Sequence, residues 1–442
     1  MLLKKHPVSS IAALAALLFT QSVLAADTLT DALTGGKANV DMRYRYEDVR
    51  NASVPVAPAQ TNQAQANTVR LRVGYTTDTF NGFGAMVEAE STHDLGNREY
   101  NSTNPANATF ATILDPEVTE INQAYLSYSG MADTTAKWGR QRLILDNHRF
   151  IGNVGWRQNE QTFDAFTLVN KSLPSTTITA GYLTNANRVV GDGIPTTDAG
   201  NARMQSPIFN INYKGFSFAE IAAYYYQLDY TPVGAATTNT SSVDNYGIRL
   251  NGSTAMGGNK LLYTAEYAKE TDGSNNSVNF ETDYTLLEAG IDVPDVAVFK
   301  LGYEVLGTDT GATTKATGLA AATPRSFSTP LATLHAFNGW ADMFLATPAQ
   351  GLKDTYVSAS TKLAGINLAA NYHDYRADKT YGAATSSSLG DEWGLMATYT
   401  FDKIYTVGLK YADYKAKGTA ATTFGAGNVN TEKTWLWGEF KF

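Results

Sequence analysis

From residue 40 to residue 442 the chain repeats one rhythm: short runs of alternating apolar and polar residues, joined by connectors that are long, then short, then long again. Alternation with period two places one class of side chain on each face of a strand. A closed β-barrel in a bilayer demands that pattern. Its outer face meets lipid, its inner face meets water, and closure leaves no unpaired backbone edge in hydrocarbon. A β-sandwich or β-helix gives no reason for the connectors to alternate in length.

The first run sets Val40, Met42, Tyr44 and Tyr46 against Asp41, Arg43, Arg45 and Glu47; the second sets Val69, Leu71, Val73 and Tyr75 against Arg70 and Arg72. In the third, Phe83, Ala85, Val87 and Ala89 oppose Glu88 and Glu90. Further candidates run near 118–129, 135–143, 161–170, 176–185, 207–213, 216–229, 244–251, 260–270, 281–291, 297–306, 353–361, 366–375, 391–401, 405–413 and 433–442, making 18. An even number suits a bacterial barrel. The odd-numbered connectors are long and polar, the longest being 307–352, while even-numbered ones such as 214–215 and 402–403 are short. The expected fold is therefore all-β: a transmembrane antiparallel β-barrel of about 18 strands, with long extracellular loops and short periplasmic turns.

The chain opens with Lys4 and Lys5, an apolar run over 11–19 and small residues up to Ala25. This predicts a cleaved signal peptide over residues 1–25, followed by a single barrel domain over 26–442. The apolar run falls short of the roughly 20 residues that a spanning helix needs. With no cysteine in the chain, stability must come from the sheet rather than from disulfides. The formal net charge of −8 argues against nucleic-acid binding. The last run, Trp435 to Phe442, alternates Leu436, Phe440 and Phe442 with Glu439 and Lys441. It is similar to the closing strand of outer-membrane proteins, which implies recognition by the barrel-assembly machinery.

Magnitude decides which face looks inward. An arginine facing lipid costs about 2–4 kcal/mol at the midplane, so Arg43, Arg45, Arg70 and Arg72 together would cost on the order of 8–16 kcal/mol. They must face the lumen, with Glu88 and Glu90 beside them. Two readings stay open. The charges form a lattice that braces the wall, or they form a basic strip on which anionic solutes exchange partners. The second predicts passage of anions in preference to cations.

Two blocks carry a resemblance. Residues 139–166 read GRQRLILDNHRFIGNVGWRQNEQTFDAF, and residues 329–354 read TPLATLHAFNGWADMFLATPAQGLKD. Both resemble the alginate-export-like family of bacterial outer-membrane porins. The resemblance implies a monomeric barrel, with a trimer still open, and a segment after the Gly-Arg-Gln motif that folds into the channel. Carried onto this chain, it makes Arg140, Arg142, Asp146, Arg149, Trp156, Arg157 and Asp164 candidate constriction residues. Their chemistry suits the role: arginine grips carboxylates bidentately, and tryptophan offers an apolar face to a sugar ring. The alternative is that the block packs a loop against the wall, with Asp164 paired to an arginine. The apolar stretch 334–345 of the longest loop is expected to fold inward or to cap the mouth.

The expected function is an outer-membrane porin, in a Gram-negative bacterium, for passive passage of small anionic or sugar-like solutes through an arginine-containing lumen. Its expected surroundings are outer-membrane lipid and lipopolysaccharide. The alternatives are an exporter channel for an acidic polysaccharide such as alginate, or a barrel-anchored surface adhesin. Glu88, Glu90, Glu266 and Glu439 dilute the basic strip and weaken the polymer reading. Past the leader only His93, His148, His335 and His373 remain, with neither a Gly-x-Ser-x-Gly elbow nor a His-x-x-x-His pair. No enzyme, cofactor or metal site is expected.

Overall fold

The computed structural model describes residues 26–442 except 53–62, 97, 104–106, 108, 193–199, 233–240, 322, 381–385 and 418–428. The expected signal peptide lies outside the described residues. Eighteen strands form one sheet. They are β1 (Lys37–Asn51), β2 (Gln63–Thr76), β3 (Phe83–Asp94), β4 (Val118–Met131), β5 (Thr134–Gln141), β6 (Thr162–Asn170), β7 (Thr176–Asn187), β8 (Asn201–Tyr213) and β9 (Ala219–Leu228). The second half comprises β10 (Val243–Met256), β11 (Asn259–Asp272), β12 (Glu281–Val293), β13 (Ala297–Leu306), β14 (Leu352–Leu363), β15 (Ile366–Arg376), β16 (Ser388–Phe401), β17 (Tyr405–Ala416) and β18 (Thr431–Lys441).

Each strand pairs antiparallel with the next, and β18 returns to β1 with Arg43 opposite Glu439 and Arg45 opposite Trp437. The sheet thus closes into a barrel without edges. The expected strands all appear, though some are longer. β8 starts at Asn201 rather than near 207, because Asn201, Ala202 and Arg203 extend the ladder against Asn187, Ala186 and Asn185. Backbone pairing above the apolar band needs no hydrophobic alternation, so that extension leaves no trace in the pattern.

The two faces sort as the arginine argument requires. On β1 and β2 the outward Leu71 and Val73 are 43% and 49% exposed, while Arg43, Arg45, Arg70 and Arg72 are 6%, 1%, 1% and 5% exposed. Leu126, Trp138, Phe166, Leu287, Leu301, Leu395 and Leu409 continue the outward apolar band. Replacing Leu71 with arginine should destabilise the barrel by about 2–4 kcal/mol if it sits near the midplane. Urea titration of the barrel folded into lipid vesicles measures this.

The interior is not uniformly polar. Toward the long-loop end, inward positions become apolar, and Leu183, Ile208, Tyr226, Tyr284, Leu306, Leu352 and Tyr375 are buried. They pack with Phe150, Ile151, Phe327 and Leu331, which belong to loops. A hydrophobic layer therefore lies inside the cylinder, built by chain that folds in from above. Smaller elements had no counterpart in the sequence reading. Helix α1 (Leu29–Thr34) is capped by the Thr28 side chain, which accepts from the Asp31 N–H at 3.1 Å. Asp78 N–H donates to Ala32 O at 3.0 Å, which docks the helix on the short connector between β2 and β3.

Candidate functional site

Two loops enter the barrel and meet there. The first, residues 142–161, leaves β5 and crosses the interior. Its turn points carbonyl oxygens at the arginines of β1. Arg43 Nη1 donates to Gly155 O at 3.3 Å and Nη2 to Trp156 O at 3.0 Å. Arg45 donates to Trp156 O and pairs with buried Asp115. Gln158 is held from both ends: its Oε1 accepts from Arg43 Nε at 2.9 Å, and its Nε2 donates to Thr68 Oγ1 at 2.9 Å. A buried guanidinium must find acceptors, and here the loop backbone supplies them.

One carboxylate ties this loop to the β2–β4 wall. Glu160 accepts from Arg142 Nε at 2.9 Å, from Asn122 Nδ2 at 2.7 Å and from Asn153 Nδ2 at 2.7 Å, with Arg72 at 3.6 Å. Arg72 also pairs with Glu90, and Arg142 reaches Glu88 at 3.5 Å. On the far side Asp146 accepts from Asn210 and Asn212 of β8 at 2.7 and 3.1 Å. Arg149 donates to Glu304 of β13 at 2.8 Å. The loop therefore spans the lumen from wall to wall.

The second loop, residues 327–351, docks on the first. Ile151 and Leu331 form a parallel bridge, and Thr333 N–H donates to His148 O at 3.0 Å. Asp342, 4% exposed, is the knot. It receives Arg157 at 2.8 Å from the first loop, Lys433 at 2.9 Å from β18 and His335 Nδ1 at 2.6 Å from its own loop. Burial alone would raise the Asp342 carboxyl. The hydrogen bond from His335 and the charges of Lys433 and Arg157 instead hold it well below the usual carboxylate range. Burial holds the His335 imidazole down at about 3 against the pull of Asp342, with Lys410 helping. The ring is neutral: Nδ1–H donates to Asp342, and Nε2 accepts from Lys410 at 2.8 Å. Trp156 stacks flat on that imidazole, with centroids 4.8 Å apart.

The sequence-selected residues divide three ways. Arg142, Asp146, Arg149, Trp156 and Arg157 come together inside the barrel, alongside Glu88 and Glu90. Arg43, Arg45, Arg70 and Arg72 face inward but make no open strip. The first loop covers three of them, and Arg70 is paired with Asp41 and, at 3.4 Å, with Glu439. Arg140 and Asp164 depart from the expectation. They share the outward face with Trp138 and Phe166 and pair with each other across β5 and β6 at 2.8 Å. Strand alternation alone carried that signal, since Trp138 and Arg140 are two residues apart. Residues not foreseen include Glu47, Asp115, Gln158, Glu160, His335, Asn338, Asp342, Lys410 and Lys433. Gln158 and Glu160 lie inside the quoted first block. The partners of Asp342 come from positions as far apart as 157 and 433, which no local spacing reveals.

Comparison with known proteins agrees with this architecture. A family model described as alginate export matches residues 37–299. Among solved structures, Acinetobacter baumannii OccAB2 superposes with a TM-score of 0.69 at 14% identity, covering 93% of this chain and 99% of that one. Pseudomonas aeruginosa OpdK with vanillate gives 0.66 at 13% identity, again covering 93% and 99%. Pseudomonas aeruginosa OpdQ gives 0.64 at 16%, with the same coverage. At such identities the likeness speaks for the fold. The search of curated proteins gave no match. Long loops outside, short turns in the periplasm and a closed cylinder between them describe an outer-membrane porin of a Gram-negative bacterium. With more than half its length matched, the chain belongs to the alginate export family.

Proposed function

We propose that this porin passes small anionic or sugar-like solutes passively, and that the paired loops 142–161 and 327–351 form its constriction with Arg142 as the group that meets the solute. The observation behind this reading is the uneven covering of the guanidiniums. Arg142 keeps a third of its side chain exposed, at 33%, whereas Arg45, Arg70 and Arg149 keep 1% and Arg157 keeps 5%. Arg142 is also held rigidly by Glu160, so it is presented rather than free to wander. The buried arginines act as scaffolding for the loops. A fold relative crystallised with vanillate, a small carboxylate, agrees with that chemistry.

The family description favours a second reading, export of an acidic polysaccharide. That reading asks both loops to leave the lumen, against a network in which almost every charge is already paired. The barrel closes on one chain, and we take a single chain as the working unit. Lipid and lipopolysaccharide surround it, and the barrel-assembly machinery inserts it. Transport needs no catalytic, cofactor or metal group, and we assign none.

The test is a reversal potential across a planar bilayer under a salt gradient. Anion preference is expected in the wild type. One unit charge near a passing ion is worth about 1 kcal/mol at 4 Å in water, attractive for an anion and repulsive for a cation, so Arg142→Ala should lower the anion-to-cation ratio by up to roughly 30-fold. A clear cation preference in the wild type would overturn the proposal.

A further inference from the structure

Below the paired loops, on the short-turn half of the β9–β15 wall, lies a cavity of about 650 Å³. Among the described residues, Trp340 is its one lining residue from a long loop; the rest come from strands and short turns. The chain goes to some length to put that indole there. Asn338 and Gly339 both take left-handed backbone, φ +54° and +83°. A Cβ on Gly339 would sit 2.1 Å from Tyr375 Oη and 2.3 Å from Glu392 Oε2, so only glycine fits the turn. The Trp340 and Ala341 N–H groups both donate to Glu392 Oε1. The ring itself rests where Gly394 has no side chain, its Cε3 lying 2.7 Å from the position a Cβ would take. Lys410 Nζ stands 4.3 Å from the ring centroid. The indole is held from its backbone, its edge and its ring.

The wall around it differs from the constriction above. Its lining holds three lysines and three carboxylates: Lys300 pairs with Glu288 at 2.8 Å, Lys214 with Glu220 at 3.2 Å, and Lys260 stands opposite Asp292 in the ladder. Ser358, Ser360 and Asn371 add hydroxyl and amide groups to the lining. Asn371 Oδ1 is buried beside Trp340 without a hydrogen-bond partner among the described residues. A fixed aromatic plate, several short hydroxyls and amides and a lining whose cations and carboxylates are equal in number together make a surface for a ring with an apolar face and a hydroxylated rim.

We propose that this cavity is a binding site for an uncharged mono- or disaccharide, with the sugar ring lying against Trp340 and its hydroxyls toward Ser358 and Asn371. It deepens the channel reading on its sugar side and rests on that reading for its biological meaning. The site takes neutral sugars on the periplasmic half, whereas Arg142 deals with charge higher up.

Binding is measured by isothermal titration calorimetry on the full-length barrel in detergent, with maltose as the probe and glucuronate as its charged counterpart. Maltose should bind the wild type, and more tightly than glucuronate. Trp340→Ala should abolish the heat. Ser358→Phe, which fills the cavity from the wall and leaves the Trp340 turn untouched, should abolish it as well. Heat-modifiable migration on a gel shows that each variant is a folded barrel, and Ser358→Phe decides the matter should Trp340→Ala misfold. No maltose binding in the wild type, binding that survives Ser358→Phe, or tighter binding of glucuronate overturns the proposal. Because no membrane is involved, a barrel that binds maltose but never conducts would sink the channel reading and leave this site standing.

Discussion

Asp342→Ala is expected to release loop 327–351 from the barrel interior and to raise single-channel conductance well above that of the wild type. Arg157, Lys433 and His335 all converge on this one buried carboxylate. Removing one partner of a buried charge cluster costs about 3–5 kcal/mol, because the remaining charges stay buried without compensation. Nothing in the substitution penalises a loop that has swung out. The open population should therefore rise by roughly 100-fold or more. The first loop should stay put, since Arg157 keeps Glu47 at 2.9 Å and Arg43 keeps its carbonyls. Limited proteolysis should then cut within 327–351 and spare 142–161. Asp342→Asn, which retains an acceptor for His335 but no charge, should fall between the two. Wild-type conductance and an unchanged cleavage pattern in Asp342→Ala would show that the knot does not hold the loop.

Glu160→Gln should weaken the first loop's attachment in a way that depends on pH. Burial pushes this carboxyl up, but Arg72, Arg142 and the hydrogen bonds from Arg142 and Asn122 outweigh it and hold it at about 2. In the unfolded chain a glutamate titrates near 4.3. A group whose folded value is depressed adds stability above its unfolded value and loses it as the pH falls through the folded one. The window therefore runs from about pH 4 down to about pH 2. At neutral pH the contribution is on the order of 3 kcal/mol. The urea midpoint of Glu160→Gln should lie well below that of the wild type at pH 7. The gap should shrink steadily from pH 4 toward pH 2. An equal gap at pH 7 and pH 2 would mean that the charge of Glu160 contributes nothing to holding the loop.

Much of this molecule was legible before any coordinates. The strand count, the alternation of long and short connectors and the inward turn of Arg43, Arg45, Arg70 and Arg72 all follow from one local constraint. Lipid lies on one side of each strand and water or protein on the other, so successive residues must differ in chemistry. That constraint acts over two residues and can be read from two residues. It also bore on Arg140, whose place on the face of Trp138 is a matter of parity. The family resemblance made Arg140 a constriction candidate, whereas in the structure it pairs with Asp164 across β5 and β6 on the face of Trp138.

The covering of the arginines was not legible. A guanidinium facing the interior can be satisfied by water, by a solute or by a loop carbonyl, and its own strand reads the same in each case. Only the path of residues 142–161 over β1 and β2 decided among them. The same holds for Asp342, which gathers a loop arginine, a strand lysine and a histidine from three separate parts of the chain. Which face of a strand meets lipid is settled by the neighbouring residue, and so the sequence alone determined the barrel. Which buried charge meets which is settled by tertiary approach, because any carboxylate or carbonyl serves a cation equally well and spacing along the chain does not single one out.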